Sequence, residues 1–234
     1  MYILVTAGNT LTMIDRVRAI TNIFSGRTGA AIALEAQRRG HTVTLATSHP
    51  EVIDAPPSER WRCLPYRTFE ELDTLMREHV SQQDAVVHCA AVADYRPAGI
   101  YAPAATTHFD SDLAWRDERE LPRLLDRAGG KVKSDEPELW LRLVRAPKLI
   151  DKIRSEWHFK GALVKFKLEV GVSEETLLTI AEKSRQQSQA DWMVANTLEG
   201  SAEWAFVGND RGYRKATRAE LAGALLDVLE ASHG

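Results

Sequence analysis

The sequence predicts an α/β protein, three layers around a mostly parallel sheet, with a small β extension. Three observations point there. Tyr2-Ile3-Leu4-Val5-Thr6 is a bare apolar run, as in a strand buried on both faces. Apolar strands then alternate with capped amphipathic helices along the 234 residues. Finally, about twenty residues rich in Gly, Ser, Thr and Asn separate the first strand from the first helix, far more than a βα connection needs.

Each element has its own signal. After the turn Ala7-Gly8-Asn9-Thr10, helical periodicity starts near Gly29, runs through Ile32, Ala33 and Ala36, and stops at Gly40. His41 to Thr47 is a second strand, followed by a polar stretch with Pro50, Pro56 and Pro57 and a short strand from Trp61 to Pro65. Thr68 and Glu71 form a capping box for a helix whose buried stripe is Leu72, Leu75, Met76 and Val80. Asp84 to Cys89 is a buried strand that ends in small residues and a polar turn, Ala90 to Pro97. From Ala98 to Gly130 the pattern weakens, with a short helix expected over Asp117 to Arg127. Glu138 to Val144 alternates with period two, as a half-exposed strand does. The chain therefore reads as a single domain, 1–234, with an inserted lid or dimerisation segment around 98–145. Pro147 opens a helix through Ile150 and Ile153, and Gly161 to Phe166 is a strand. Ser173 caps the helix of Leu177, Leu178 and Ile180, and Asp191 to Ala195 is the last parallel strand. Trp204 to Val207 and the Tyr213 region pair across Gly208-Asn209-Asp210, and Thr217 with Glu220 boxes a final helix with Leu221, Leu225, Val228 and Leu229 on its apolar face.

Composition excludes several classes. A net charge of −3 and a pI near 6.2 imply no nucleic-acid or membrane-surface partner. Cys63 and Cys89, both in apolar settings, read as reduced core thiols of a cytoplasmic protein. No signal peptide and no long apolar run are present, so a soluble, untargeted chain is expected. His88 reads as a satisfied buried histidine, and the other histidines lack metal-ligand spacing.

The long first loop carries the functional signal. Its end, Thr21-Asn22-Ile23-Phe24-Ser25-Gly26-Arg27-Thr28-Gly29, offers backbone N–H groups and a helix N-terminus to an anion. The spacing matches neither the dinucleotide fingerprint nor the Walker loop, and the second strand ends without Asp or Glu. A nucleotide or phosphate ligand therefore stands against a purely structural glycine loop. A nicotinamide-dependent reductase on a Rossmann-like sheet is opposed by the missing fingerprint and by the lack of a Tyr-x-x-x-Lys pair after Asp94-Tyr95. A non-catalytic binding or regulatory protein is the other alternative.

Five separated blocks carry a resemblance. These are Val17-Arg18-Ala19-Ile20-Thr21-Asn22 with Ser25, Gly26 and Gly29; Ala90 to Pro97; Lys131-Val132-Lys133; Phe166-Lys167-Leu168-Glu169; and Ala190-Asp191 to Ala195-Asn196. In this order they resemble phosphopantothenoylcysteine synthetase of coenzyme A biosynthesis, nearly end to end. With no decarboxylase domain before residue 1, the chain looks like the stand-alone bacterial form.

The resemblance implies a ligase that activates the carboxylate of 4′-phosphopantothenate with CTP and Mg²⁺, through an acyl-CMP intermediate, before cysteine displaces CMP. ATP is the less expected nucleotide. It implies catalytic roles for Asn22, Lys131 and Lys133; the family's second lysine pair is broken by Ser134, so either lysine fits. Arg18 takes a structural or substrate role, with Ser25, Gly26 and Gly29 on the substrate. Gly8, Asn9, Thr10, Ala90, Ala91, Asp94, Phe166 and Asn196 are expected on the nucleotide, the alanine backbone reading the base. Any metal ligands in the chain are unknown, and a homodimer is expected. Each residue also has a plain structural reading: Asn22 as a turn former, the lysines as strand-edge charges, the alanines and Phe166 as core, Asn196 as a strand-end cap. Two departures, Ala7-Gly8-Asn9-Thr10 in place of paired glycines and Phe24-Ser25-Gly26 in place of Ser-Ser-Gly, fall in the phosphate region.

Overall fold

A computed structural model describes residues 1–55, 58–104 and 123–233. In chain order the elements begin with β1 (Tyr2–Ala7), β2 (Thr12–Met13), β3 (Ala19–Ile20), α1 (Arg27–Arg38), β4 (Thr42–Thr47), β5 (Trp61–Pro65), α2 (Phe69–His79) and β6 (Ala85–His88). They continue with β7 (Tyr95–Pro103), β8 (Leu124–Asp126), β9 (Trp140–Arg145), α3 (Leu149–Ser155), β10 (Ala162–Glu169), α4 (Glu174–Gln187), β11 (Trp192–Thr197), β12 (Trp204–Asn209), β13 (Gly212–Thr217) and α5 (Leu221–His233). Two compact units result. The first comprises Met1–Thr10, Asn22–Val92 and Lys148–Gly234, the second Leu11–Thr21 and Ala93–Pro147.

The first unit holds an eight-stranded sheet in the order β13-β12-β11-β10-β6-β1-β4-β5. Its ladders are parallel from β5 to β11 and antiparallel from β11 to β13. Strand order reverses between β1 and β6, and in an open α/β sheet that switch point places a ligand at the carboxyl ends of those strands. The apolar run of β1 has a direct cause: Ile3, Val5 and Ala7 enter the cluster under α1 and α5, while Leu4 enters the one under α2 and α3. Met193, Ala195 and Phe206 pack under α4 through Leu177 and Ala181. The three layers are thus helices, sheet and helices, as the alternation predicted.

Local signals position the helices. Both parts of the Thr68–Glu71 box are present, and Thr217 with Glu220 forms the same reciprocal pair. Ser173 Oγ accepts from the Thr176 N–H at 3.2 Å. Arg39 bridges Glu35 of α1 to Asp227 and Glu230 of α5, tying that helical layer together. Buried Lys165 donates to the Ser184 carbonyl at 2.8 Å and to Ser188 Oγ at 2.5 Å.

The second unit pairs β2 with β3 and builds an antiparallel sheet in the order β8-β7-β9. Among its described residues, six large apolar side chains stand exposed: Met13, Val17, Ile20, Tyr95, Leu139 and Leu143.

Several expectations are corrected. Cys63 is exposed, because β5 is the sheet's edge strand and half its neighbours are missing. Of the polar turn expected at Asp94 to Pro97, only Asp94 is a bend; Tyr95 to Pro97 already belong to strand β7, which absorbs Pro97 through a register shift before Gly99. The helix expected over Asp117 to Arg127 lies mostly outside the described residues, and Leu124–Asp126 of it is strand. Helix α3 starts at Leu149, two residues after Pro147, and the β12–β13 ladder closes at Asn209 and Gly212, so the turn is Asp210-Arg211.

Candidate active site

In the first unit, the carboxyl ends of β1, β4 and β6 are laced together by one polar web. The Ala91 N–H donates to the Gly8 carbonyl at 2.8 Å, and Asn9 and Ala91 form a parallel bridge. The Asn9 N–H donates to Ser48 Oγ at 2.8 Å, and Ser48 Oγ donates to Asn9 Oδ1 at 3.0 Å. Asn9 Nδ2 donates to the Asn22 carbonyl at 2.5 Å, and Asn22 Nδ2 donates to the Ala91 carbonyl at 2.9 Å. The Ala90 N–H donates to Thr6 Oγ1 at 3.2 Å, and Thr6 Oγ1 lies 2.9 Å from His88 Nδ1. The long loop is therefore pinned at Asn22 directly over the switch point. Thr10 is fully buried within the same stretch.

Glycine permits the next feature. Gly26, the N-cap of α1, has φ +80°, and a Cβ there would fall 2.4 Å from the Gly8 nitrogen, itself on a residue at φ +87°. The start of α1 thus rests on the end of β1, with Ser25 and Gly26 partly exposed and Gly29 buried. This helix end has no side-chain cap and no acidic residue in its first turn, and Arg218 Nη2 donates to Thr28 Oγ1 at 2.5 Å. A helix N-terminus and a guanidinium repel one another, so the arrangement is complementary to an anion.

Burial pushes the Cys89 thiol up to about 12, against the opposing effects of Arg218 and the Gly29 N–H, so it is no nucleophile at neutral pH. Burial, with the charge of Lys165, holds His88 down to about 4, which fits the neutral, satisfied histidine read from the sequence. Phe166 is half-buried against the core beneath α1 and α5, and Asn196 is half-buried on β11, in register with Leu168.

The remaining candidates belong to the second unit. Asp15 takes both Arg18 Nε at 3.1 Å and Arg18 Nη2 at 2.7 Å, and Arg18 Nη2 also donates to the Val132 carbonyl at 2.7 Å. Lys131 and Lys133 flank buried Val132 and are themselves exposed, as is Asp94. Sequence reasoning missed Thr6, Ser48, Arg218 and Asp15. Ser48 had a signal, since it follows the second parallel strand where a ligand-facing residue belongs; Arg218 had none.

Residues 1–106 match the family described as DNA/pantothenate metabolism flavoprotein C-terminal domain. The coenzyme A biosynthesis bifunctional protein CoaBC of Thermococcus kodakarensis is 35% identical over 236 residues, covering 97% of this chain and 50% of that protein. The chain is similar to the phosphopantothenoylcysteine synthetases. The crystal structure of the DNA/pantothenate metabolism flavoprotein from Streptococcus pneumoniae superimposes with a TM-score of 0.81 at 28% identity, covering all of both chains. The C-terminal domain of a coenzyme A biosynthesis bifunctional protein CoaBC shares the fold, with a TM-score of 0.67 at 22% identity over 99% of this chain and 94% of that one. The chain spans half the length of the Thermococcus CoaBC protein and 44% of that of Mycobacterium bovis. All five blocks that carry the synthetase resemblance lie in described parts of the chain.

Proposed function

We propose that this chain is a phosphopantothenate–cysteine ligase that activates the 4′-phosphopantothenate carboxylate with CTP as acyl-CMP. In the first step a carboxylate oxygen bonds to the α-phosphorus and pyrophosphate leaves. In the second the cysteine amine attacks the acyl carbon, CMP leaves, and the amide forms. The observation that carries the reading is the Asn22 side chain fixed on the Ala91 carbonyl over the sheet's switch point. It joins two of the family's blocks at the place where an α/β sheet holds its ligand.

Bringing a carboxylate onto a triphosphate demands cations and donors rather than a nucleophile. In this reading the uncapped start of α1, with Ser25, Gly26, Gly29 and Arg218, takes an anionic group, and Gly8, Asn9, Thr10, Phe166 and Asn196 belong to the nucleotide. The candidates of the second unit, considered by themselves, are Asp94 and one of Lys131 and Lys133. Magnesium fits as a passenger of the triphosphate, where it would neutralise charge: among the described residues no three His, Cys, Asp or Glu side chains gather, and Mg²⁺ is commonly held by phosphates with one or two carboxylates.

The alanine backbone has less to offer a base than the sequence suggests. Both N–H groups are engaged, Ala90 on Thr6 Oγ1 and Ala91 on the Gly8 carbonyl, which leaves carbonyl lone pairs as acceptors. A carbonyl accepts the amino group of cytosine and of adenine alike, so preference for CTP requires a donor from another residue. We further propose a homodimer that covers the exposed apolar side chains of the second unit, and a cytoplasmic location. Incubating the protein with 4′-phosphopantothenate, cysteine and each nucleoside triphosphate in turn, while following pyrophosphate and nucleoside monophosphate, tests the reading. Release with no triphosphate would refute it, and release with ATP alone would refute the choice of CTP.

A further inference from the structure

We propose that Asp15 is a positioning residue, which fixes the backbone of Val132 and so aims Lys131 and Lys133. The inference rests on the ligase reading above, in which one of these lysines works on the phosphates. The Asp15 side chain is fully buried yet surrounded by donors. It accepts from the N–H groups of Val17 and Arg18, each at 2.8 Å, from the Val132 N–H at 3.0 Å, and from Arg18 Nε and Nη2. Arg18 Nη2 in turn donates to the Val132 carbonyl at 2.7 Å. Both backbone groups of Val132 are therefore held by a single ion pair, and the Arg16 N–H binds the Gly130 carbonyl at 3.1 Å just upstream.

Five donors hold the Asp15 carboxyl well below the usual carboxylate range, with the Arg18 side chain the largest influence. It is ionised throughout the working pH range. Taking a carboxylate out of water carries a desolvation cost that its partners must offset. The segment it holds buries only Val132 between two exposed lysines, so the apolar gain there is small. What the ion pair provides is a fixed backbone. With Val132 clamped on both sides, the lysines retain only side-chain freedom, and a fixed cation is worth far more to a developing charge than a mobile one.

A double-mutant cycle tests this. Asp15→Asn keeps the shape but turns an amide NH₂ toward groups that are themselves donors. With the wild-type lysines, turnover should fall about 10- to 100-fold with KM values within about threefold. In the Gln variant of whichever lysine is the more sensitive, the same Asp15→Asn change should cost less than about twofold, because the group it positions is gone. Equal fold-losses in the two backgrounds, or undiminished turnover of Asp15→Asn, would overturn the inference. If Asp15→Asn does not fold, Arg18→Lys takes its place in the cycle, since it keeps the charge but loses the forked contact to Asp15 and Val132. The wild-type arm separates the two claims: no turnover there refutes the ligase reading and this inference with it, whereas an active wild type with additive losses refutes this inference alone.

Discussion

Replacing Asn22 by Asp exchanges the amide that donates to the Ala91 carbonyl at 2.9 Å for a carboxylate oxygen. The hydrogen bond becomes a contact between two acceptors. Losing the bond and leaving a partly buried carbonyl unpaired costs about 1–3 kcal/mol, before any repulsion is counted. That cost falls on the loop rather than on the core, since Ile3, Leu4 and Val5 beneath it are untouched. The protein should fold, with a melting point lowered by a few degrees. Turnover should drop further, because the new charge faces an anionic acyl intermediate; a combined loss of about 3 kcal/mol corresponds to more than 10²-fold in rate. Asn22→Ala is the control that removes the donor without adding charge, and it should fall between the two. Stopped-flow pyrophosphate release beside thermal melts would measure both effects. Wild-type turnover by Asn22→Asp would refute the reasoning.

Four further outcomes are expected. Lys131→Gln and Lys133→Gln should differ, one losing on the order of 10²-fold in rate and the other little; equal and mild losses would make the segment an ordinary surface. Arg218→Gln should raise the KM of an anionic substrate several-fold while leaving the melting point unchanged or slightly higher, because it relieves repulsion at the start of α1; a lowered melting point with normal KM would mark it as structural. His88 stays neutral when folded down to about pH 4 but charges near 6.5 when unfolded, so stability should fall as pH drops through that window, by about 1.4 kcal/mol per unit. Urea midpoints at pH 7 and 5 should converge in His88→Gln, and an unchanged gap would exclude His88 as the cause. Sedimentation should give twice the chain mass, with Leu143→Asp, which sits on an exposed β9 position where Leu141 is half-buried, lowering mass and activity together; a fully active monomer would refute the dimer.

What could be read from the sequence was local. The two capping boxes, the Ser173 cap and the two-faced apolar run of β1 depend on residues within a few positions of one another, and the structure has all of them. Strand β7 was hidden because Pro97 and Gly99 are poor strand residues, accommodated only by the register shift against β9. The exposure of Cys63 follows from strand order, which local composition does not carry. The site was legible as a place and not as a web. Asn22 and Ala91 could be named, but that they bond, with Ser48 and Thr6 beside them, follows from parallel registers between segments 39 to 84 residues apart.

The second unit is made of two stretches of chain that leave the first unit after β1 and after β6 and return to it. Its central tie, Asp15 to Val132, joins residues 117 positions apart. Closing so long a loop is slow and entropically costly unless other contacts have already brought the ends near. The parallel ladders of β1 with β4 and β6 are the means at hand, so the second unit should order late in folding, after those strands have paired. On the ribosome, residues 11–21 would wait through the synthesis of the whole intervening chain for their partner. A fragment of residues 93–147 cut out on its own would lack Asp15 and Arg18, and with them the clamp on its own lysine segment.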